Sequence, residues 1–66
     1  MTITLNGEAH DIPGPISVAA LLQRLEIDGR RVAVELNLAV VKRAAYDRLM
    51  ITDGDAVEVV NFVGGG

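Results

Sequence analysis

Between Ser17 and Leu25 the chain carries its one main amphipathic helix pattern, and this restricts its fold more than any other feature. Val18, Leu21, Leu22 and Leu25 fall at i, i+3, i+4 and i+7, a single apolar stripe, while Gln23, Arg24 and Glu26 turn the other way. Ser17 is a good N-cap, because its hydroxyl can accept from an orphan N–H of the first turn. Asp28-Gly29 is expected to end the helix. A lone helix cannot bury its stripe against another helix, so a sheet must cover it.

The remaining sequence supplies that sheet. Thr2-Ile3-Thr4-Leu5 alternates polar and apolar, the period of a half-buried strand. Asn6-Gly7 then signals a tight hairpin, since both central residues of a type I′ turn need positive φ. Glu8 to Ile12 returns as a second strand, closed by Pro13-Gly14-Pro15. Val32, Val34 and Leu36 alternate with Ala33, Glu35 and Asn37 as a third strand, and Ala39-Val40-Val41 reads as a short fourth beside it. Ala44 to Arg48 reads as an irregular or short helical crossing, and Thr52-Asp53-Gly54-Asp55 as a turn. The last strand runs from Ala56 to Phe62, with Val57 and Val59 on one face and Glu58, Val60 and Phe62 on the other.

A hairpin, a crossover helix and returning strands describe an α+β fold of the β-grasp, ubiquitin-like kind. It has a mixed sheet of four to five strands, with the helix across one face. The helix is expected to cover Ile3, Leu5, Val32, Val34, Val57 and Val59, and the last strand to lie beside the first. Residues 1–62 form one domain and residues 63–66 a flexible glycine tail.

Composition narrows the function. With 66 residues, half of them apolar but only one Phe, one Tyr and no Trp, the core must be aliphatic. So short a chain buries only about 60% of the surface its unfolded form exposes. A net charge of -3 disfavours nucleic acid, which needs a basic surface, and anionic membranes. The absence of cysteine removes disulfides, thiolate metal sites and thiol nucleophiles, and suits a reducing cytoplasm. Met1 runs directly into a strand pattern, which predicts no signal segment, and no apolar run reaches membrane-spanning length. His10 is the lone histidine and makes no metal site. Asp53 and Asp55 flank Gly54, so turn bonding explains them better than acid–base chemistry.

The sequence closes on Val63-Gly64-Gly65-Gly66, behind the last strand. Glycines leave the backbone unobstructed, and an α-carboxyl with a pKa of roughly 3.3–3.7 is ionised at neutral pH. A thin thread with an acyl group at its tip suits a narrow channel in a partner enzyme.

Over essentially its whole length the chain resembles the ThiS family, the sulfur carriers of thiamine biosynthesis. The residues that carry the likeness are Asn6-Gly7, the Ser17-capped helix with Leu21-Leu22-Gln23-Arg24-Leu25, Val34-Glu35-Leu36-Asn37, and Val41 with Arg43 and Tyr46. Asp53-Gly54-Asp55 and Phe62-Val63-Gly64-Gly65-Gly66 complete it. In one departure, Leu38 stands where the family often has glycine, which leaves the geometry of that turn open.

The resemblance implies that a partner adenylating enzyme activates the carboxylate of Gly66 with ATP. The acyl-adenylate then becomes a thiocarboxylate, with sulfur from a sulfur-donating protein, and a thiazole synthase receives that sulfur. Gly64 and Gly65 would thread the channel, and Val60, Phe62 and Val63 would form the docking patch. ATP and magnesium would belong to the partner; the chain itself would bind no cofactor and be no enzyme. Three alternatives stay open. They are the sulfur-donating small subunit of molybdopterin synthase, a ubiquitin-like modifier of lysines, and an interaction domain with an inert tail. Arg30, Arg31, Lys42, Arg43 and Arg48 form the later basic set, read mainly as a solvated face.

Overall fold

The computed structural model describes residues 1–61. Its main sheet contains β1 (Thr2–Leu5), β2 (Glu8–Asp11), β4 (Val32–Leu36), β5 (Ala39–Val41) and β7 (Ala56–Asn61). They are ordered β2-β1-β7-β4-β5. The helix α1 spans Val18–Arg24. A two-stranded ribbon pairs β3 (Ile16–Ser17) antiparallel with β6 (Met50–Ile51). The β1–β7 pair is parallel, and the other neighbours in the main sheet are antiparallel. This is the β-grasp arrangement, with the last strand beside the first as the element order implies.

The core follows the helix stripe and the inward strand positions. Ile3, Val18, Leu21, Val32, Val34 and Val57 are each 1% exposed, and Leu22 is 3% exposed. Each contributes roughly 1.5–3 kcal/mol by leaving water. Leu5, Leu25, Leu36 and Val59 pack around them half-buried. Ile51 is fully buried. The alternation pattern misses it because β6 is only two residues long.

One local feature differs from the sequence expectation. The helix does not run on to Asp28-Gly29. It ends at Arg24 with Leu25 as C-cap, and Glu26 turns back with φ 60°. The Glu26 N–H donates to the Gln23 carbonyl (3.0 Å) and the Ile27 N–H to the Leu22 carbonyl (2.8 Å). These are the two bonds of a Schellman cap, a site where glycine is the usual residue. Asp28 starts a new element instead: its carboxylate caps the short 3-10 helix Gly29–Arg31, accepting from the Arg30 N–H at 2.9 Å. The crossing after β5, expected over Ala44 to Arg48 as irregular or short helical, contains a 3-10 helix over Arg43–Ala45.

The Leu38 turn keeps the geometry that glycine would favour. Asn37 and Leu38 have φ 51° and 72°, matching Asn6 and Gly7 at 51° and 83° in the first hairpin. The left-handed region costs a non-glycine residue about 1–2 kcal/mol, and Leu38 recovers little by burial because it is 88% exposed. Asn37 holds the turn. Its Nδ2 donates to Asp55 Oδ1 (3.0 Å), its Oδ1 accepts from the Ala56 N–H (2.9 Å), and its own N–H donates to the Ala56 carbonyl (2.7 Å).

Leu38→Gly is therefore expected to stabilise the fold by about 1 kcal/mol, raising the urea midpoint without changing the slope of the transition. A lower midpoint would show that the Leu38 side chain makes a compensating contact.

Candidate functional site

Strand β7 defines the site, because it leads towards the glycines. It is hydrogen-bonded on both edges. Thr4 and Leu5 pair with Ala56 and Val57 on one side, and β4 pairs with it from Leu36↔Val57 to Val32↔Asn61 on the other. The parallel ladder to β1 ends early, and Asn6 extends it with its side chain. Asn6 Oδ1 accepts from the Val59 N–H (2.8 Å), and its Nδ2 donates to the Val59 carbonyl (3.3 Å). The turn residue that closes the first hairpin thus also grips β7 close to its end.

Strand parity places Val57 and Val59 towards the helix and Glu58 and Val60 on the opposite face. Val60 is 61% exposed and lies across from Ala33. Glu58 lies directly across from Glu35, and Glu35 in turn from Val40, which is 75% exposed. Like charges set opposite each other weaken a sheet, so the acidic pair is not there for stability. Val60 is the one docking residue from the sequence reading that the structure places. Phe62, Val63, Gly64, Gly65 and Gly66 lie outside the described residues.

The basic residues gather near the same end. The Arg30 guanidinium makes a two-armed bond to Asp28, Nε to Oδ1 at 3.1 Å and Nη2 to Oδ2 at 3.0 Å. That bond, with the Arg30 backbone N–H, holds the Asp28 carboxyl down at about 2. Arg43 Nη2 donates to the Arg30 carbonyl at 3.3 Å. Tyr46 is buried, its hydroxyl donating to the Val32 carbonyl at 3.4 Å.

The acidic turn carries structural bonds. Asp53 Oδ1 accepts from the Thr2 N–H (2.7 Å), and Asp55 Oδ2 from the Thr52 N–H (2.8 Å). The Thr52 backbone bond and then the Asn37 amide hold the Asp55 carboxyl below the usual carboxylate range. His10 stands half-buried on the edge strand β2, opposite Ile3. No cluster of three or more potential metal ligands occurs among the described residues, and none of their helices is long and apolar enough to cross a membrane.

A small β-grasp domain whose central strand runs out towards a glycine-rich end defines the ubiquitin-like class. The chain belongs to the ThiS family: that family's model matches residues 3–66. The crystal structure of a thiamine biosynthesis protein, ThiS, from Geobacter metallireducens superposes with a TM-score of 0.88 at 40% identity, covering 100% of both chains. The sulfur carrier protein ThiS of Bacillus subtilis is 32% identical over 50 residues, 76% of each sequence. A thiazole synthase of Paramagnetospirillum magneticum is 42% identical over all of this chain, which spans only 20% of that protein's length. The chain likewise spans 20% of a second thiazole synthase, from Magnetococcus marinus.

The lowered Asp55 pKa sets a pH dependence. Its contribution is fully present above the unfolded value near 3.8 and is lost as pH falls through the lower folded value. Asp55→Asn should therefore be less stable than the parent at pH 7, with the gap narrowing below about pH 4. Chemical denaturation at both pH values checks this. A gap that widens in acid would contradict the assignment.

Proposed function

We propose that this chain is the sulfur carrier of a thiamine thiazole pathway, with the Gly66 carboxylate as its working group. The observation that supports the reading most directly is the anchoring of β7. The strand is bonded on both edges, clipped by Asn6, and followed in sequence by Phe62-Val63-Gly64-Gly65-Gly66. A domain so built offers a firm handle at the root of an unhindered acyl thread.

The chemistry follows from what the chain lacks. With no cysteine it has no side-chain thiol on which to carry sulfur. A carboxylate is a poor acyl donor, so it needs a leaving group. Attack of the Gly66 carboxylate on the α-phosphorus of ATP gives an acyl-adenylate and releases pyrophosphate. Attack by the terminal sulfur of a persulfide on the sulfur-donating protein then expels AMP and joins the two chains as an acyl disulfide. A thiol next cleaves that S–S bond, leaving the Gly66 thiocarboxylate and a disulfide on the donor side. Dividing one hard transfer into easier steps is the logic of covalent catalysis. The adenylating enzyme supplies the ATP and magnesium sites. This chain binds neither and acts as co-substrate, not as enzyme. Thiazole synthase takes the sulfur. Gly64 and Gly65 give the thread its narrow cross-section, and Val60, Phe62 and Val63 form the apolar docking patch at its root. The setting is the cytoplasm.

The reaction needs a carboxylate at the tip of a thin thread of the right length, so the test shortens the thread or thickens it. The parent chain should support ATP–pyrophosphate exchange by the adenylating enzyme. Deleting Gly66 should cut the rate at least about a hundredfold, and Gly65→Trp should do nearly the same, with melting temperatures unchanged. Exchange at the parental rate by Gly65→Trp would contradict the threading argument.

A further inference from the structure

Apart from Arg24 and Arg48, the basic residues are concentrated at one end of the sheet. The 3-10 helix Gly29–Arg31 runs directly into β4, whose first residue, Val32, pairs with Asn61 at the end of β7. Arg30 and Arg31 therefore precede the strand position against which β7 ends. Lys42 follows β5 one residue beyond the Val34↔Val41 pair, on the strand next to β4 and at the same end. Arg43 reaches back to the Arg30 carbonyl, joining the two segments. All four side chains belong to exposed residues, and within segments 28–33 and 40–46 the one carboxylate is Asp28. This collection sits in a molecule of net charge -3, so the charge is segregated and not merely present.

The collar is also partly fixed in place. Arg30 is held by both oxygens of Asp28, and Arg43 by a backbone carbonyl. Arg31 approaches Asp28 only at 3.9 Å, and Lys42 has no ion pair among the described residues. Asp28 offsets one of the four positive charges, so the collar keeps a net cationic excess. Pre-set guanidinium groups lose less freedom when they meet a carboxylate, and a net cationic surface speeds encounter with an acidic one.

We propose that Arg30, Arg31, Lys42 and Arg43 form an electrostatic docking collar, and that its occupant is an acidic surface on thiazole synthase around the opening that accepts the glycine thread. The proposal rests on the sulfur-carrier reading above. Thiazole synthase is the occupant because the P. magneticum enzyme of that name matches this entire chain within its own sequence. A carrier domain and that enzyme thus occur in one polypeptide.

The test measures association of this chain with purified thiazole synthase at low and high salt. Arg31→Glu and Lys42→Glu alter the two cations whose side chains make no close bond among the described residues. The double variant should associate at least about tenfold more slowly at low salt and lose most of the parent's salt dependence, with an unchanged melting temperature. Each single reversal should slow association more than Arg24→Glu, which makes the same charge change on the helix. Rates within twofold of the parent, with the parent's salt dependence, would overturn the collar while leaving the carrier reading intact. Slowing confined to the adenylating enzyme would overturn thiazole synthase as its occupant. Failure of the parent chain itself to bind would overturn the carrier reading and the collar together.

Discussion

Strand β7 is the element on which the rest of the structure depends. It is flanked by β1 in parallel and β4 in antiparallel register, and both of its neighbours are themselves paired on their far sides. Its inward face supplies Val57 and Val59 to the helix-covered core, and its outward face carries Glu58 and Val60. Two asparagines at hairpin tips then fix its ends. Asn37 bonds the start of the strand through Ala56, and Asn6 bonds it near the finish through Val59. Each net bond contributes only about 0.5–1.5 kcal/mol, but together they fix the start of the strand at Ala56 and its course at Val59. In a domain of this size, whose buried core is small, such fixed points have a disproportionate effect on strand register.

The same asparagines show how the fold accommodates strain. A two-residue type I′ turn demands positive φ twice. Asn6-Gly7 meets that demand with favourable residues, whereas Asn37-Leu38 meets it with a leucine that gains little burial. Glu26 likewise takes the left-handed position of the helix cap. The turn at Leu38 survives because Asn37 makes three bonds to the neighbouring segment at Asp55 and Ala56. The Glu26 cap survives because Ile27 beyond it is packed against the core.

Much of this was legible in the sequence, for physical reasons that differ by element. The Ser17 cap, the Val18-Leu21-Leu22 stripe and the alternation in β1, β4 and β7 are strong periodic signals, and the structure places each of them as read. The Asn6-Gly7 turn is a residue-specific signal and holds too. The helix end was not legible, because Glu26 carries no sign of a left-handed backbone while Asp28-Gly29 resembles a stop. The β3–β6 ribbon was hidden because two-residue strands have no period. Of the residues proposed for docking, Val60 was read as outward from parity alone, and it is exposed. The gathering of Arg30 and Arg31 with Lys42 and Arg43 depends on β4–β5 and β4–β7 register, which no local pattern contains.

The central claim is that Gly66 carries sulfur as an acyl thiocarboxylate. The most direct measurement is the intact mass of this chain after incubation with ATP, the adenylating enzyme and a sulfur source. The account predicts a shift equal to one oxygen replaced by sulfur, dependent on ATP and absent when Gly66 is deleted. An unchanged mass with an active adenylating enzyme would contradict it, and so would a sulfur-bearing product that persists without Gly66.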